Sequence, residues 1–400
     1  MIKFLCINTD QVSTLSKEEK MKGTRILAIM SIVLLASVSM LWAGGAEEKP
    51  TEVRIGIVAP ITGAAATFGI STSNGSRLYF DEVNAAGGIN GMQIRYFVED
   101  DKGDPTEGAN AYSKLIDQDR VVAIVGTVMS SVSLAGAPIA QNKGIPMISP
   151  TSTNPAVTLV GDYIFRACFI DPFQGYVAAK YATDVLKLKT AAALYDAAND
   201  YTKGLAEVFR DEFTKMGGRI VAFESYAAGT SDFNAQLVKI RAVNPEVLFL
   251  PNYYNDTGLI AKQARDMGIR AQFLGSDGWD SPDLFSIAAG SLEGGVFVNH
   301  FTHESTVPAA QRFVRAYEAK YGQKPDALAA LAYEAAMITV DAIKRAGSTN
   351  SKAIRDAMAA TNLETLTGKV TFDAQRNPIK GAVLLEVKGN AAVYKTSVNP

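Results

Sequence analysis

Two strand-to-helix turns in this sequence carry hydroxyls of the kind that hold a small anion. One reads Gly126-Thr127-Val128-Met129-Ser130-Ser131 and the other Pro150-Thr151-Ser152-Thr153-Asn154-Pro155. The first follows the apolar run Val121 to Val125 and the second follows Ile145 to Ser149, so each hydroxyl group sits where a buried strand hands over to a helix. Helix N-termini present free N–H groups and a partial positive charge, which attract an anion. In open α/β sheets ligands bind beyond the carboxyl ends of the strands, so turns from neighbouring strands can converge on one solute. Together the turns read as two parts of one carboxylate site. Taken singly, each is equally accounted for by a Ser or Thr helix cap, worth about 1 kcal/mol.

Signatures of catalysis are scarce. Pro60-Ile61-Thr62-Gly63 after the first strand lacks the glycines of a dinucleotide fingerprint and the lysine of a P-loop. No G-x-S-x-G nucleophile elbow occurs. His300 and His303 are the only histidines, with no Cys or H-E-x-x-H to complete a metal set, and they read as surface or hinge residues. A protein that only binds a solute needs no general base.

Those turns need a scaffold, and the chain is long enough for two domains: 400 residues, 48% hydrophobic and 20% charged. Lys+Arg 39 against Asp+Glu 41, without a basic run, argues against a nucleic-acid partner. Cys6 and Cys168 cannot build a disulfide framework, which leaves Cys168 as a lone buried thiol. Lys22 and Arg25 precede an apolar stretch from Ile26 to Trp42 that closes in Ala43-Gly44-Gly45-Ala46. This is the pattern of a cleaved secretory signal peptide over 21–46, and it places the mature protein in the periplasm or otherwise outside the cytoplasm. An uncleaved anchor would need about 20 apolar residues, for which the stretch is marginal. No Cys follows it to take a lipid. Residues 1–20 read as an upstream extension, with Met21 as the start.

From Glu52 onward apolar runs alternate with helical spacing. Val53–Val58, Ile94–Val98, Val121–Val125 and Ile145–Ile148 are strands of a parallel sheet, crossed by helices over 69–86, 105–117 and 130–142. The rhythm repeats with strands Ala191–Leu194, Ile220–Phe223, Val247–Leu250 and Phe273–Leu274 and helices over 202–216, 232–243 and 256–267. Helices over 308–321, 327–346 and 351–360 follow, and Val370–Phe372 with Ala382–Val387 suggests a closing hairpin. No long Gly/Ser linker separates the two halves. Several short crossings, hence a hinge, are expected.

Further stretches carry a resemblance by their order and spacing: Val53-Arg54-Ile55-Gly56-Ile57 with Pro60 and Gly63, Asn84-Ala85-Ala86-Gly87-Gly88-Ile89-Asn90-Gly91, Asp100-Asp101 with Asp104-Pro105, and Gln263-Ala264-Arg265. With them the chain resembles the leucine/isoleucine/valine-binding family of periplasmic solute-binding proteins of ABC transporters, over nearly everything after residue 51. The resemblance implies an α/β type I periplasmic binding fold, two parallel-sheet lobes on a multi-strand hinge. Lobe one would comprise 51–171 plus 301–371, and lobe two 172–300 plus 372–400.

The resemblance also implies a site. Carboxylate donors fall on Ser130 and Thr153, an ammonium-accepting carbonyl on Thr151, and an ammonium-binding acid on Asp277 in Gly275-Ser276-Asp277-Gly278-Trp279. Tyr201 and Tyr253 match the family's ligand-facing tyrosines, and Phe68 its first-lobe aromatic. Taken alone, Asp277 is also consistent with an ordinary turn aspartate. Phe68, Tyr201, Tyr253 and Trp279 fall at strand ends or in Gly-rich turns, where clefts form, and are read as pocket wall, with plain packing as the other reading.

The implied partners are a small amino acid with a branched-chain or other apolar side chain and a membrane permease. The implied protein is monomeric, needs no metal or cofactor, and is not an enzyme. A ligand sensor of the same fold for amides, urea or aromatic acids is the alternative. Two departures stand out. Gly103 and Met129 occupy positions where the family pairs cysteines, and Asp277 replaces a longer Glu.

Overall fold

The computed structural model describes residues 51–399 together with Met30. Apart from Met30, the expected signal peptide and the extension ahead of it lie outside the described residues. Among the described residues no helix is long and apolar enough to cross a membrane.

Two sheets organise the chain. The first has the order β2-β1-β3-β4-β5, all parallel, with β1 Glu52–Ala59, β2 Gln93–Asp100, β3 Ala123–Val125, β4 Met147–Ser149 and β5 Ile164–Arg166. The second runs β14-β13-β10-β9-β8-β6-β7. Its parallel strands are β6 Thr190–Asp196, β7 Arg219–Tyr226, β8 Val247–Leu250, β9 Gln272–Gly275 and β10 Val296–Asn299. Every residue of β8 is buried, as expected of a strand covered by helices on both faces.

Helices close both faces. In the first lobe they are α1 Ala66–Ala85, α2 Pro105–Asp117, α3 Ser130–Lys143 and the short α4 Ala156–Leu159. In the second they are α5 Asp171–Lys180, α6 Asp200–Lys215, α7 Asn234–Val243, α8 Tyr254–Asp266 and α9 Asp283–Ala288. The chain then returns to the first lobe with α10 Pro308–Tyr321, α11 Ala327–Ala346 and α12 Ser351–Ala359.

Helix ends follow local chemistry. Asp104 caps α2 by accepting from Thr106 N and Glu107 N at 2.8 and 3.0 Å, with Pro105 at the first position. Gly347, in the left-handed conformation, stops α11. Helix α1 starts three residues before the expected Gly69. That glycine lies inside the helix, at a place where an added Cβ would meet the Pro60 carbonyl oxygen at 1.9 Å.

The expected hairpin of Val370–Phe372 with Ala382–Val387 does not form. Instead β11 Asn362–Glu364 pairs with β12 Lys369–Thr371, and β13 Ala382–Lys388 pairs antiparallel with β14 Ala391–Val398 through Gly389-Asn390. Each strand has a nearer partner in sequence, and β13 also adds antiparallel to β10. The segment between β12 and β13 therefore crosses from one lobe to the other.

That crossing is held by a buried ion pair. Lys380 and Glu334 meet with side chains 5% and 0% exposed, Lys380 also donates to the Ala167 carbonyl at 2.9 Å, and Thr365 and Thr367 donate to Glu334. Removing one member of a buried pair leaves the other uncompensated. Lys380→Met should therefore destabilise the protein by about 3–5 kcal/mol in urea unfolding, and Lys380→Met with Glu334→Leu by clearly less. Equal losses would mean that the pair holds no charge in common.

Candidate ligand-binding site

The first-lobe half is built from the two hydroxyl turns, and most of their hydroxyls turn out to knit the turns together. Ser149 Oγ donates to the Thr127 carbonyl at 2.7 Å, Ser152 Oγ to that of Val128 at 3.0 Å, and Thr151 Oγ1 to Val128 at 3.2 Å. Gly126 (φ +146) permits the close approach, since a Cβ there would meet the Val58 carbonyl oxygen at 2.4 Å. Arg166, wholly buried, donates to the carbonyls of Ser152, Asn154 and Pro155 and so fixes the second turn from behind. Ser130 opens α3, and its Oγ accepts from Asn154 N at 3.2 Å, which leaves the hydroxyl proton free for an anion.

Facing these turns is the acid of the second lobe. Asp277 opens a single turn after β9, with Oδ1 2.6 Å from Tyr201 Oη and Oδ2 3.0 Å from His300 Nε2. Its backbone N–H donates to Gln174 Oε1 at 3.1 Å. Burial and the neighbouring Asp277 push the Tyr201 phenol well above its ordinary value, so it remains a donor. The Tyr253 ring stacks on Tyr201 at 5.2 Å, and Phe68 meets Tyr253 edge-on at 6.0 Å.

Between the halves lies a narrow cavity, about 20 Å³ in volume. Ser130, Thr151, Asp277, Phe68, Tyr201 and Tyr253 line it, with Val128, Gly278 and Leu328 completing the wall. The lobes are closed over it. Tyr254 Oη and Asn255 Nδ2 donate to the Ala64 carbonyl at 2.7 and 2.9 Å, Asp200 N donates to Ser131 Oγ at 3.1 Å, and Thr67 Oγ1 lies 2.9 Å from Ser281 Oγ.

Two expected site residues stand back from the cavity. Trp279 is fully buried, donates its indole N–H to the Leu250 carbonyl at 2.9 Å and packs near Phe297, so it fills the core beneath the Asp277 turn instead of walling the pocket. Thr153 is also fully buried and is not among the lining residues. Its Oγ1 has no hydrogen-bonding partner among the described residues, and its carbonyl accepts from Asp171 N at 3.0 Å.

His300, read from sequence as a surface or hinge residue, is buried and holds Asp277. Sequence reasoning also passed over Asp171, whose Asp171-Pro172 pair is a helix-start signature. Asp171 is fully enclosed beside Thr153 and Gln174, and burial pushes its carboxyl up to about 8.

Comparison with known proteins now decides the family. The model of the periplasmic binding protein family matches residues 52–392. This chain belongs to the periplasmic binding protein family. Family members are periplasmic proteins that bind solutes and are not enzymes, and small-molecule ligands and ABC transporter permeases are their partners.

A Pseudomonas aeruginosa protein named for binding leucine, isoleucine, valine, threonine and alanine is 31% identical, over 88% of this chain and 93% of its own. A leucine-binding protein LivK from Thermotoga maritima superposes with a TM-score of 0.84 at 36% identity, covering 87% of this chain and 99% of that one. The branched-chain amino acid binding protein LivJ of Streptococcus pneumoniae, solved with isoleucine, gives 0.82 at 34% identity, covering 87% and 100%. The fold is thus the type I periplasmic binding architecture expected from the sequence.

Buried Asp171 also sets a pH dependence of stability. Its folded value of about 8 lies above the roughly 3.9 of an unfolded aspartate, so between these values the folded state holds a proton that the unfolded state has lost. Stability from this group is therefore full at low pH and falls as pH rises from about 4 to about 8. Asp101, raised to about 6 chiefly by burial, adds the same sign over a shorter range. Melting temperatures followed from about pH 5 to about pH 9 should fall less steeply in Asp171→Asn than in the natural protein. Parallel curves would mean that Asp171 ionises alike in both states.

Proposed function

We propose that this protein captures an amino acid with a branched-chain or other apolar side chain and delivers it to an ABC permease from outside the cytoplasm, after removal of its signal peptide. The observation that carries this reading is one small cavity with opposite chemistry at its two ends. The Ser130 hydroxyl and the N-terminus of α3 face it from one lobe, and Asp277 faces it from the other. A zwitterion satisfies both ends at once. Phe68, Tyr253, Val128 and Leu328 supply apolar wall for a side chain. Hydrogen bonds to charged groups contribute roughly 1.5–3 kcal/mol each, so a few support micromolar binding, about −8 kcal/mol. The similarity to leucine-binding and isoleucine-bound proteins supports the same class of solute.

In this reading the closing lobes are 51–171 with 301–371, and 172–300 with 372–400, and the chain acts as a monomer. Thr153 belongs to the carboxylate end through its backbone and through the turn it shares with Thr151. Closure completes the site because neither lobe holds both ends of it.

Calorimetry with L-leucine and its deaminated analogue isocaproate tests the assignment. Ser130→Ala should weaken both ligands by about 1–3 kcal/mol, since both carry the carboxylate. Asp277→Asn should weaken leucine by a similar amount and leave isocaproate nearly unaffected. If Asp277→Asn weakens both equally, the ammonium role is wrong and the solute is not an α-amino acid.

Closure makes a separate prediction. Saturating ligand should reduce the radius of gyration in small-angle scattering of the mature protein, because bound ligand favours the closed form by its differential affinity. Identical profiles with binding confirmed by calorimetry would refute hinge closure as the signal to the permease.

A further inference from the structure

His300 touches the site only through Asp277, and its surroundings limit what it can be. Nε2 lies 3.0 Å from Asp277 Oδ2. The ring stacks on Phe169 with centroids 3.6 Å apart and planes 28° from parallel, which fixes its plane. Nδ1 is sealed from solvent and has no hydrogen-bonding partner among the described residues. An imidazolium would carry a second N–H at that position, and a buried donor without an acceptor is costly. With the proton on Nε2 alone, Nδ1 leaves only a lone pair unmatched. The nearby Asp280 is already engaged, its Oδ2 accepting from Asn299 Nδ2 at 2.9 Å and Ala327 N at 2.7 Å, and burial pushes its carboxyl up.

We propose that His300 is a specificity-determining positioning residue: an uncharged donor that orients the Asp277 carboxylate without cancelling its charge, so that the site selects solutes bearing an ammonium group. Tyr201, also uncharged, does the same for the other oxygen. A lysine or arginine at this place would make a neutral pair with Asp277 and favour solutes without the ammonium. The shorter acid makes this aim matter more, because aspartate has one fewer torsion with which to follow the ligand. The inference rests on the amino-acid reading given above.

Binding of L-leucine and isocaproate by His300→Phe and His300→Gln is the test. Phenylalanine keeps the stack on Phe169 and removes the donor, and glutamine restores an uncharged N–H near Nε2. His300→Phe should lose about tenfold or more in leucine affinity with isocaproate little changed, and His300→Gln should recover most of the loss. Equal losses on both ligands, or no recovery with glutamine, would overturn the inference and leave His300 as core packing. If the natural protein itself prefers isocaproate to leucine, the amino-acid reading falls and this inference with it.

A measurement on the natural protein covers the case in which a variant does not fold. With His300 and His303 the only histidines, imidazole nitrogen NMR of the leucine-bound protein, assigned with His303→Gln, should find His300 neutral and protonated on Nε2. An imidazolium signal, or protonation on Nδ1, would overturn the proposal.

Discussion

The two ends of the cavity are built on different sheets, and the rest of the structure depends on that constraint. Every side chain that fixes the hydroxyl turns, from Ser149 to Arg166, comes from the first sheet and its loops. The partners that fix Asp277 are Tyr201 on α6, Gln174 on α5 and His300 at the end of β10. A solute bonding to both ends would bridge the lobes, and its observed affinity would include the free energy of bringing them together. The direct contacts across the cleft are both polar, as Tyr254 and Asn255 on the Ala64 carbonyl, and apolar, as Phe68 edge-on against Tyr253 and Tyr254.

The loop where the resemblance implies paired cysteines is held by packing and hydrogen bonds. Met129 packs its sulfur 3.0 Å from where a Cβ on Gly103 would lie, so the two positions are neighbours. Asp100 accepts from the N–H groups of Ile61 and Lys102 at 2.8 and 2.9 Å, and buried Asp101 pairs with the Thr127 hydroxyl. These contacts join the loop after β2 to the loop after β1 and to the first hydroxyl turn. Asp101 rises to about 6 because burial outweighs the hydrogen bonds that favour its charge. Side-chain caps therefore stand in for a covalent link, and they bring a proton equilibrium that a disulfide would not.

What was legible in the sequence was whatever local chemistry decides. Pro105 and Pro308 begin helices, Gly347 ends one, and the buried parallel strands read as short apolar runs. Ser130, Thr151, Asp277, Tyr201, Tyr253 and Phe68 line one cavity, and the family resemblance, more than their own surroundings in the sequence, singles them out. The failures share a different cause. The pairing of β13 with β10, Trp279 turned into the core, and His300 placed on Asp277 are decided by partners far away in sequence. Nothing in the residues around His300 distinguishes an exposed histidine after a strand from one drawn under an acid 23 positions earlier.

The second buried acid completes the electrostatic logic of the site. Asp171 stands beside Thr153 and within the field of Asp277, and both effects, burial first and like charge after, favour its protonated form. Two carboxylates sharing one low-dielectric corner cannot both ionise cheaply. Asp277 itself is held by hydrogen bonds from Tyr201 and His300. The buried guanidinium of Arg166 acts on Asp171 in the opposite sense, and burial outweighs it.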